Sequence, residues 1–236
     1  SDLAADGPTS IFVSSRFAPQ LLGPISVAAY SYMSMVPVIQ PPVIRALTTK
    51  EERQMNMTLR AGRTVSKRAR ILFPIVVTIV VGIFAPSSST LIGFLMFGNL
   101  LRESGVVARL SNSAQNELAN IVTIMLGLGI SCTMTGDRFL RADTLMILGM
   151  GLVAFVFDTA GGVLSAKLLN LFMKEKINPM IGAAGISAFP MSSRTIQQMA
   201  AREKPGTFVL MQASAANVAG QIGSVVAGGL LLALLS

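Results

Sequence analysis

The chain has 236 residues, 52% of them hydrophobic and 13% charged, with 19 Lys and Arg set against 11 Asp and Glu. Soluble proteins carry about a quarter of charged residues, so this composition and a mean hydropathy of +0.64 argue against a water-soluble domain. The absence of histidine and the single cysteine, Cys132, exclude His-based triads, imidazole proton shuttles and an internal disulfide.

Ser1–Ser15 holds Asp2 and Asp6 and no basic stretch ahead of an apolar run, so it does not read as a signal peptide. The chain opens inside what reads as a functional segment, and an N-terminally incomplete sequence is expected. The first apolar segment, Leu21–Ile44, is expected to be interrupted by Pro24, Pro37, Pro41 and Pro42. Residues 45–70 then form a basic loop with eight Lys and Arg against two Glu. Ile71–Ala85 is ended by Pro86, and Thr90–Leu101 and Leu118–Met134 follow. Gly136–Asp143 balances Asp137 and Asp143 against Arg138 and Arg141, and Thr144–Phe172 comes next. Lys167–Lys176 and Arg194–Lys204 are each net +2, and they flank Pro179–Met191, which Gly182, Gly185 and Pro190 punctuate. Thr207–Leu235 is the last apolar segment.

A simple spanning helix needs about 20 residues, and several of these segments are shorter or broken. Inside a bilayer, irregular backbone is tolerated only where protein buries it or where it lines a cavity. The expected fold is therefore all-α and polytopic, with broken and re-entrant helices as in transporters, and residues 1–236 read as a single membrane domain. The positive-inside rule places the three basic stretches in the cytoplasm. Residues 178–191 then enter and leave on that side as a re-entrant segment. A nucleic-acid partner is not expected, because Trp is absent and Tyr occurs twice, leaving no stacking platform.

Polar residues at membrane depth are the informative ones. Asp6-Gly7-Pro8 is a helix-start signal, which reads either as a plain N-cap or as a carboxylate coordinating a cation beside a helix break. Asn178-Pro179 repeats the pattern, with Gly182 one turn on, Ser187 beyond it and Arg194 past Pro190. Tight helix packing explains the glycines but leaves Asn178 and Arg194 over. Asn217 lies in an otherwise apolar segment and reads as helix–helix glue or a cation ligand. Tyr30 and Tyr32 lie mid-segment, away from the charged ends. Asp158 is a lone carboxylate in Thr144–Phe172.

Several of these residues sit in motifs that occur together and in order: Ala5-Asp6-Gly7-Pro8-Thr9, Ala28-Ala29-Tyr30-Ser31-Tyr32-Met33, Gln40-Pro41-Pro42, Gly98 to Gly105, Asn178 through Arg194, and Asn217-Val218-Ala219-Gly220. Along essentially its whole length the chain resembles the beta subunit of the biotin-dependent, sodium-translocating decarboxylases of oxaloacetate, methylmalonyl-CoA and glutaconyl-CoA. Full members are longer, so the chain corresponds to their C-terminal half, and an inverted-repeat architecture is implied. Phe155–Leu164 and Ile181–Met191 are closer to the acyl-CoA members.

The resemblance implies that the subunit decarboxylates carboxybiotin, exports sodium and consumes a proton in a bacterial inner (plasma) membrane. It implies a carboxyltransferase alpha subunit, a biotin carrier subunit and a small membrane subunit as partners, with membrane lipid around an oligomer. Asp6, Asn178 and Asn217 match sodium-site residues. Tyr32 and Ser187 match residues of sodium and proton handling, Gly182 a sensitive glycine, and Arg194 an arginine near carboxybiotin. Tyr30 and Asp158 are supporting candidates. The sequence departs from the family pattern at Gln212, where relatives usually carry His. The alternatives are a sodium-coupled secondary transporter without chemistry and a membrane scaffold whose polar residues only pack.

Overall fold

The longest apolar stretches become continuous helices in the computed structural model, which describes residues 6–57, 65–133, 141–173, 175–186, 188 and 190–235. In chain order the helices are α1 (Gly7–Phe17), α2 (Leu22–Leu47), α3 (Lys50–Arg53), α4 (Lys67–Phe84), α5 (Ser89–Ser104), α6 (Ala108–Ser113), α7 (Ala119–Thr133), α8 (Ala142–Phe172), α9 (Met191–Glu203) and α10 (Leu210–Leu235). Short 3-10 turns cover Pro19–Leu21 and Pro86–Ser88, a longer 3-10 segment covers Pro179–Gly185, and a π-helical turn, Ala114–Leu118, joins α6 to α7. Among the described residues every regular element is helical. Pro19–Leu47, Thr144–Phe172 and Leu210–Leu234 are long and apolar enough to cross a membrane, and the chain is an all-α polytopic membrane protein.

Contacts divide the chain into two units, the first from the described residues of Ser1–Leu59 and Asp137–Ser224, the second from those of Arg60–Gly136 and Val225–Ser236. In the first, α2, α8, α9 and the 3-10 segment pack on one another. Ile44, Val163, Met180, Ile196 and Val209 fill one core, and Tyr32, Val36, Phe155 and Ile186 fill another. In the second, α4 pairs with α5, and the Ser88 hydroxyl donates to the Val225 carbonyl at 2.7 Å. Ile79, Phe94, Phe97, Val122 and Met125 face outward, as suits helices solvated by lipid chains.

Each unit turns one helix into the next at the same tripeptide. Phe17-Ala18-Pro19 ends α1 and Phe84-Ala85-Pro86 ends α4, and the two alanines share an extended-to-bridging backbone (φ −145°, ψ 63° and φ −138°, ψ 71°). A residue before proline is pushed out of the helical region, and the proline then opens the next turn at a position whose N–H would be unpaired in any case.

The expected interruption of the first apolar segment does not occur, since α2 runs unbroken through Pro37, Pro41 and Pro42. Pro24 falls in its first turn, where no N–H is missed. The other three lie in a long helix braced by α1, α8 and α9, the setting in which spanning helices tolerate proline. The basic stretch 194–204 likewise lies almost wholly within α9 rather than in an irregular loop.

At its centre the 3-10 segment meets α8 backbone to backbone. A Cβ on Gly162 would overlap the Gly182 carbonyl, and a Cβ on Gly182 would overlap that of Gly162. Gly161, one residue away, meets nothing within 4 Å. Gly162→Ala should therefore destabilise the protein by about 1–3 kcal/mol, the usual penalty for overfilling a packed contact. Gly161→Ala should be neutral or slightly stabilising, because alanine favours a helix. Thermal unfolding of the two variants in detergent checks the contrast.

Candidate functional site

Asp6 begins the site. It caps α1, accepting from the Thr9 N–H at 3.2 Å and the Thr9 hydroxyl at 2.8 Å. Its second oxygen also accepts from the Ser224 hydroxyl of α10. The residue is 5% exposed, and among the described residues no Lys or Arg pairs with it. A buried carboxylate held only by neutral donors lacks the counter-charge that such groups normally require. The Tyr30 ring lies beside Gly7, the residue after Asp6.

Asn178 and Asn217 grip opposite ends of the 3-10 segment. Asn178 is fully buried, and its Oδ1 accepts from the Met180 N–H at 3.1 Å. Its Nδ2 donates to the Arg53 and Met55 carbonyls at 3.2 and 2.9 Å. At the far end the Asn217 amide donates to the Ala184 carbonyl at 2.9 Å and to that of Ile186. Two facing carbonyls fix which atom of the amide is nitrogen. The Asn217 Oδ1 is then buried with no hydrogen-bond partner among the described residues. Gly220, one turn along α10, sits so close to Gly185 that a Cβ would overlap its carbonyl.

Asn217 and Ser224 are seven residues apart on α10, about 10 Å along its axis. Asp6, Asn217 and Asn178 are thus strung along α10 and the 3-10 segment rather than gathered around one point. Among the described residues no three His, Cys, Asp or Glu side chains converge on a metal position. The oxygen donors here are one carboxylate, hydroxyls, amides and main-chain carbonyls, a hard set suited to a hard cation.

The other expected residues fall around this string. Tyr32 is buried, packs over Gly151, and donates its hydroxyl to the Leu148 carbonyl. It shares a core with Ile186 and Ala188, the neighbours in sequence of Ser187, which itself lies outside the described residues. Gly182 and Asp158 line a cavity of about 500 Å³ together with Gly162, Gly185, Ile186 and Ala216. Arg194 is exposed in the first turn of α9, whose N-cap, Pro190, supplies no side-chain cap.

Comparison with known proteins now decides the family. Residues 3–235 match the family described as the Na+-transporting oxaloacetate decarboxylase beta subunit. The chain belongs to this family. It is 54% identical over 230 residues to the methylmalonyl-CoA decarboxylase subunit beta of Propionigenium modestum, covering 98% of this chain and 58% of that protein. It is 54% identical over 228 residues to the oxaloacetate decarboxylase beta chain 2 of Salmonella typhi, covering 97% and 52%. The methylmalonyl-CoA decarboxylase subunit beta of Veillonella parvula is 51% identical over 232 residues, covering 98% and 62%. The chain thus spans little more than half the length of the curated relatives it matches, and overall identity does not separate the two substrate types.

Four side chains around the candidate site were not among the site residues expected from the sequence, although Thr9 and Gln40 lie in its motifs. Ser224 and Thr9 complete the shell of Asp6. Gln40 and Ser192, both fully buried, hold the middle of the 3-10 segment. The Gln40 Nε2 donates to the Ala183 carbonyl and to the Ser192 hydroxyl, both at 2.9 Å, and the Ser192 hydroxyl in turn lies 3.0 Å from the Gln40 carbonyl oxygen. Gln40 was visible as a lone amide in an apolar stretch, the signal that singled out Asn217. Ser192→Ala should strand part of the Gln40 amide and destabilise the protein by about 1–3 kcal/mol, read as a lower melting temperature in detergent. Ser15→Ala, which removes an exposed hydroxyl bonded within its own helix, should leave that temperature unchanged.

Proposed function

We propose that the chain forms part of a membrane subunit that decarboxylates carboxybiotin and couples the reaction to sodium export, with a proton consumed. The observation that carries this reading is Asp6, a buried carboxylate without a cationic partner among the described residues. A sodium ion supplies the missing charge. The Asn217 Oδ1, buried and without a hydrogen-bond partner among the described residues, is a second acceptor suited to a cation. Asn178, at the other end of the 3-10 segment, is a ligand candidate at a separate point of the string, with Gly182 shaping the approach to it.

Arg194 is the residue we assign to the carboxylate of carboxybiotin. It stands exposed in the first turn of α9, whose N-terminus carries partial positive charge and has no side-chain cap, and its planar guanidinium suits a bidentate contact. Tyr32 and Ser187 are assigned to sodium and proton handling, with Tyr30 and Asp158 supporting. On this reading residues 178–191 are re-entrant and residues 45–70 are cytoplasmic. The carboxylate reaches the site on a biotin carrier subunit loaded by a carboxyltransferase alpha subunit, and a small membrane subunit completes an oligomeric complex in the bacterial inner membrane.

Two tests address the reading. Asp6→Asn keeps a good N-cap but removes the charge, so sodium-stimulated carboxybiotin decarboxylation by the complete complex should fall by at least about tenfold, the usual scale for a lost charged ligand. Retention of sodium-dependent turnover would return Asp6 to a plain cap. Arg194→Lys should lose most of the decarboxylation and vesicle sodium uptake, since a lysine is a compact point charge without the planar fork. Arg202→Lys, an exposed change at the other end of α9, should be near normal. Equal behaviour of the two would make Arg194 a topology residue.

A further inference from the structure

Segment 48–57 is tied down at almost every residue. Thr49 and Glu52 close a capping box around α3, and Glu52 reaches Lys167 of α8 at 3.0 Å. Burial alone would raise the Glu52 carboxyl, but the Thr49 N–H and Lys167 outweigh it and hold the group below its ordinary range. Arg53 donates from Nε to the Glu203 carboxylate of α9 at 3.1 Å and from a terminal nitrogen to the Thr48 carbonyl at 2.5 Å. The Gln54 amide donates to the Glu203 carbonyl at 3.2 Å, and the exposed Arg45 approaches the Glu203 carboxylate at 3.8 Å. Arg53 and Glu203 are only 13% and 15% exposed at their side chains. They are therefore not a solvated surface pair of negligible worth.

Arg53 faces two ways. Its side chain holds Glu203, while its carbonyl, with that of Met55, takes the Asn178 Nδ2. With that nitrogen committed to segment 48–57, the Asn178 Oδ1 is turned toward the first turn of the 3-10 segment. The direction of a candidate ion ligand is thus set by an ion pair one step removed, as outer-shell partners orient metal ligands.

We infer that Glu203 is a positioning residue for Asn178, acting through the Arg53 side chain and the Arg53 and Met55 carbonyls. The inference rests on the proposed role of Asn178 as a sodium ligand, and its test separates the two. Turnover and vesicle sodium uptake of the complete decarboxylase complex are measured against sodium concentration for Glu203→Ala, Glu203→Gln and Asn178→Ala. Glu203→Ala should raise the half-saturating sodium concentration by about tenfold, the low end for a lost outer-shell partner, and change the maximal rate by no more than about twofold. Glu203→Gln keeps an acceptor for Arg53 without the charge, and should give a rise of about threefold. That variant decides the matter if Glu203→Ala does not assemble. Asn178→Ala should shift the same quantity at least as far as Glu203→Ala. If Asn178→Ala is shifted while the Glu203 variants keep normal sodium dependence, or lose only maximal rate, the positioning role is overturned and the sodium reading stands. If Asn178→Ala leaves the sodium dependence unchanged, that reading falls and the inference with it.

Discussion

Main-chain carbonyls buried among apolar helices must find donors, and where a helix breaks the chain cannot supply them itself. The segment from Ile177 to Ile186 is where this constraint bears hardest. Its Pro179–Gly185 core is a 3-10 run of seven residues, about twice the usual length. Side chains make up the difference. Asn170 takes the Ile177 carbonyl, Gln40 and Ser192 take that of Ala183, and Asn217 takes those of Ala184 and Ile186. Gln40, Asn170, Ser192 and Asn217, far apart in sequence, converge on this one stretch of backbone.

That convergence unites the structural and functional readings of the same residues. Carbonyls that accept from an amide N–H are also the oxygens that hard cations use. An asparagine between two such carbonyls supplies one group of each kind on a single rotatable plane. Charge is distributed to match. Arg53, Glu203, Glu52 and Lys167 neutralise one another around segment 48–57, whereas Asp6 is surrounded by hydroxyls and an N–H. The first group is charge-balanced within the protein, and the second is satisfied by neutral donors alone.

Much of this was legible in the sequence. Hydropathy located α4, α5, α8 and α10 to within a few residues, because lipid-facing helices must be apolar over their whole exposed length. Asp6 and Asn178 stood out as Asx-Gly-Pro and Asx-Pro starts, and both do cap helical segments. Prolines misled, because their effect depends on what braces the helix: Pro37, Pro41 and Pro42 leave α2 unbroken, whereas Pro19 and Pro86 mark real corners. The partners of the site were hidden for a different reason. Ser224 is 218 residues from Asp6, and Ser192 is 152 from Gln40. A hydroxyl on a small-residue face gives no local sign of which distant group it will meet.

The glycine contacts also have a mechanical meaning. Gly162 on one side and Gly220 on the other press directly on the backbone of the 3-10 segment at Gly182 and Gly185. A contact of backbone on backbone contains no rotamers, so it has no soft degree of freedom in which a displacement could dissipate. At roughly 2 Å per residue the seven residues span about 14 Å, with Asn178 at one end and Asn217 near the other. The segment therefore behaves as a short strut in a rigid sleeve. Segment 48–57 holds one end of it through Asn178, and Asn217 holds the carbonyls near the other.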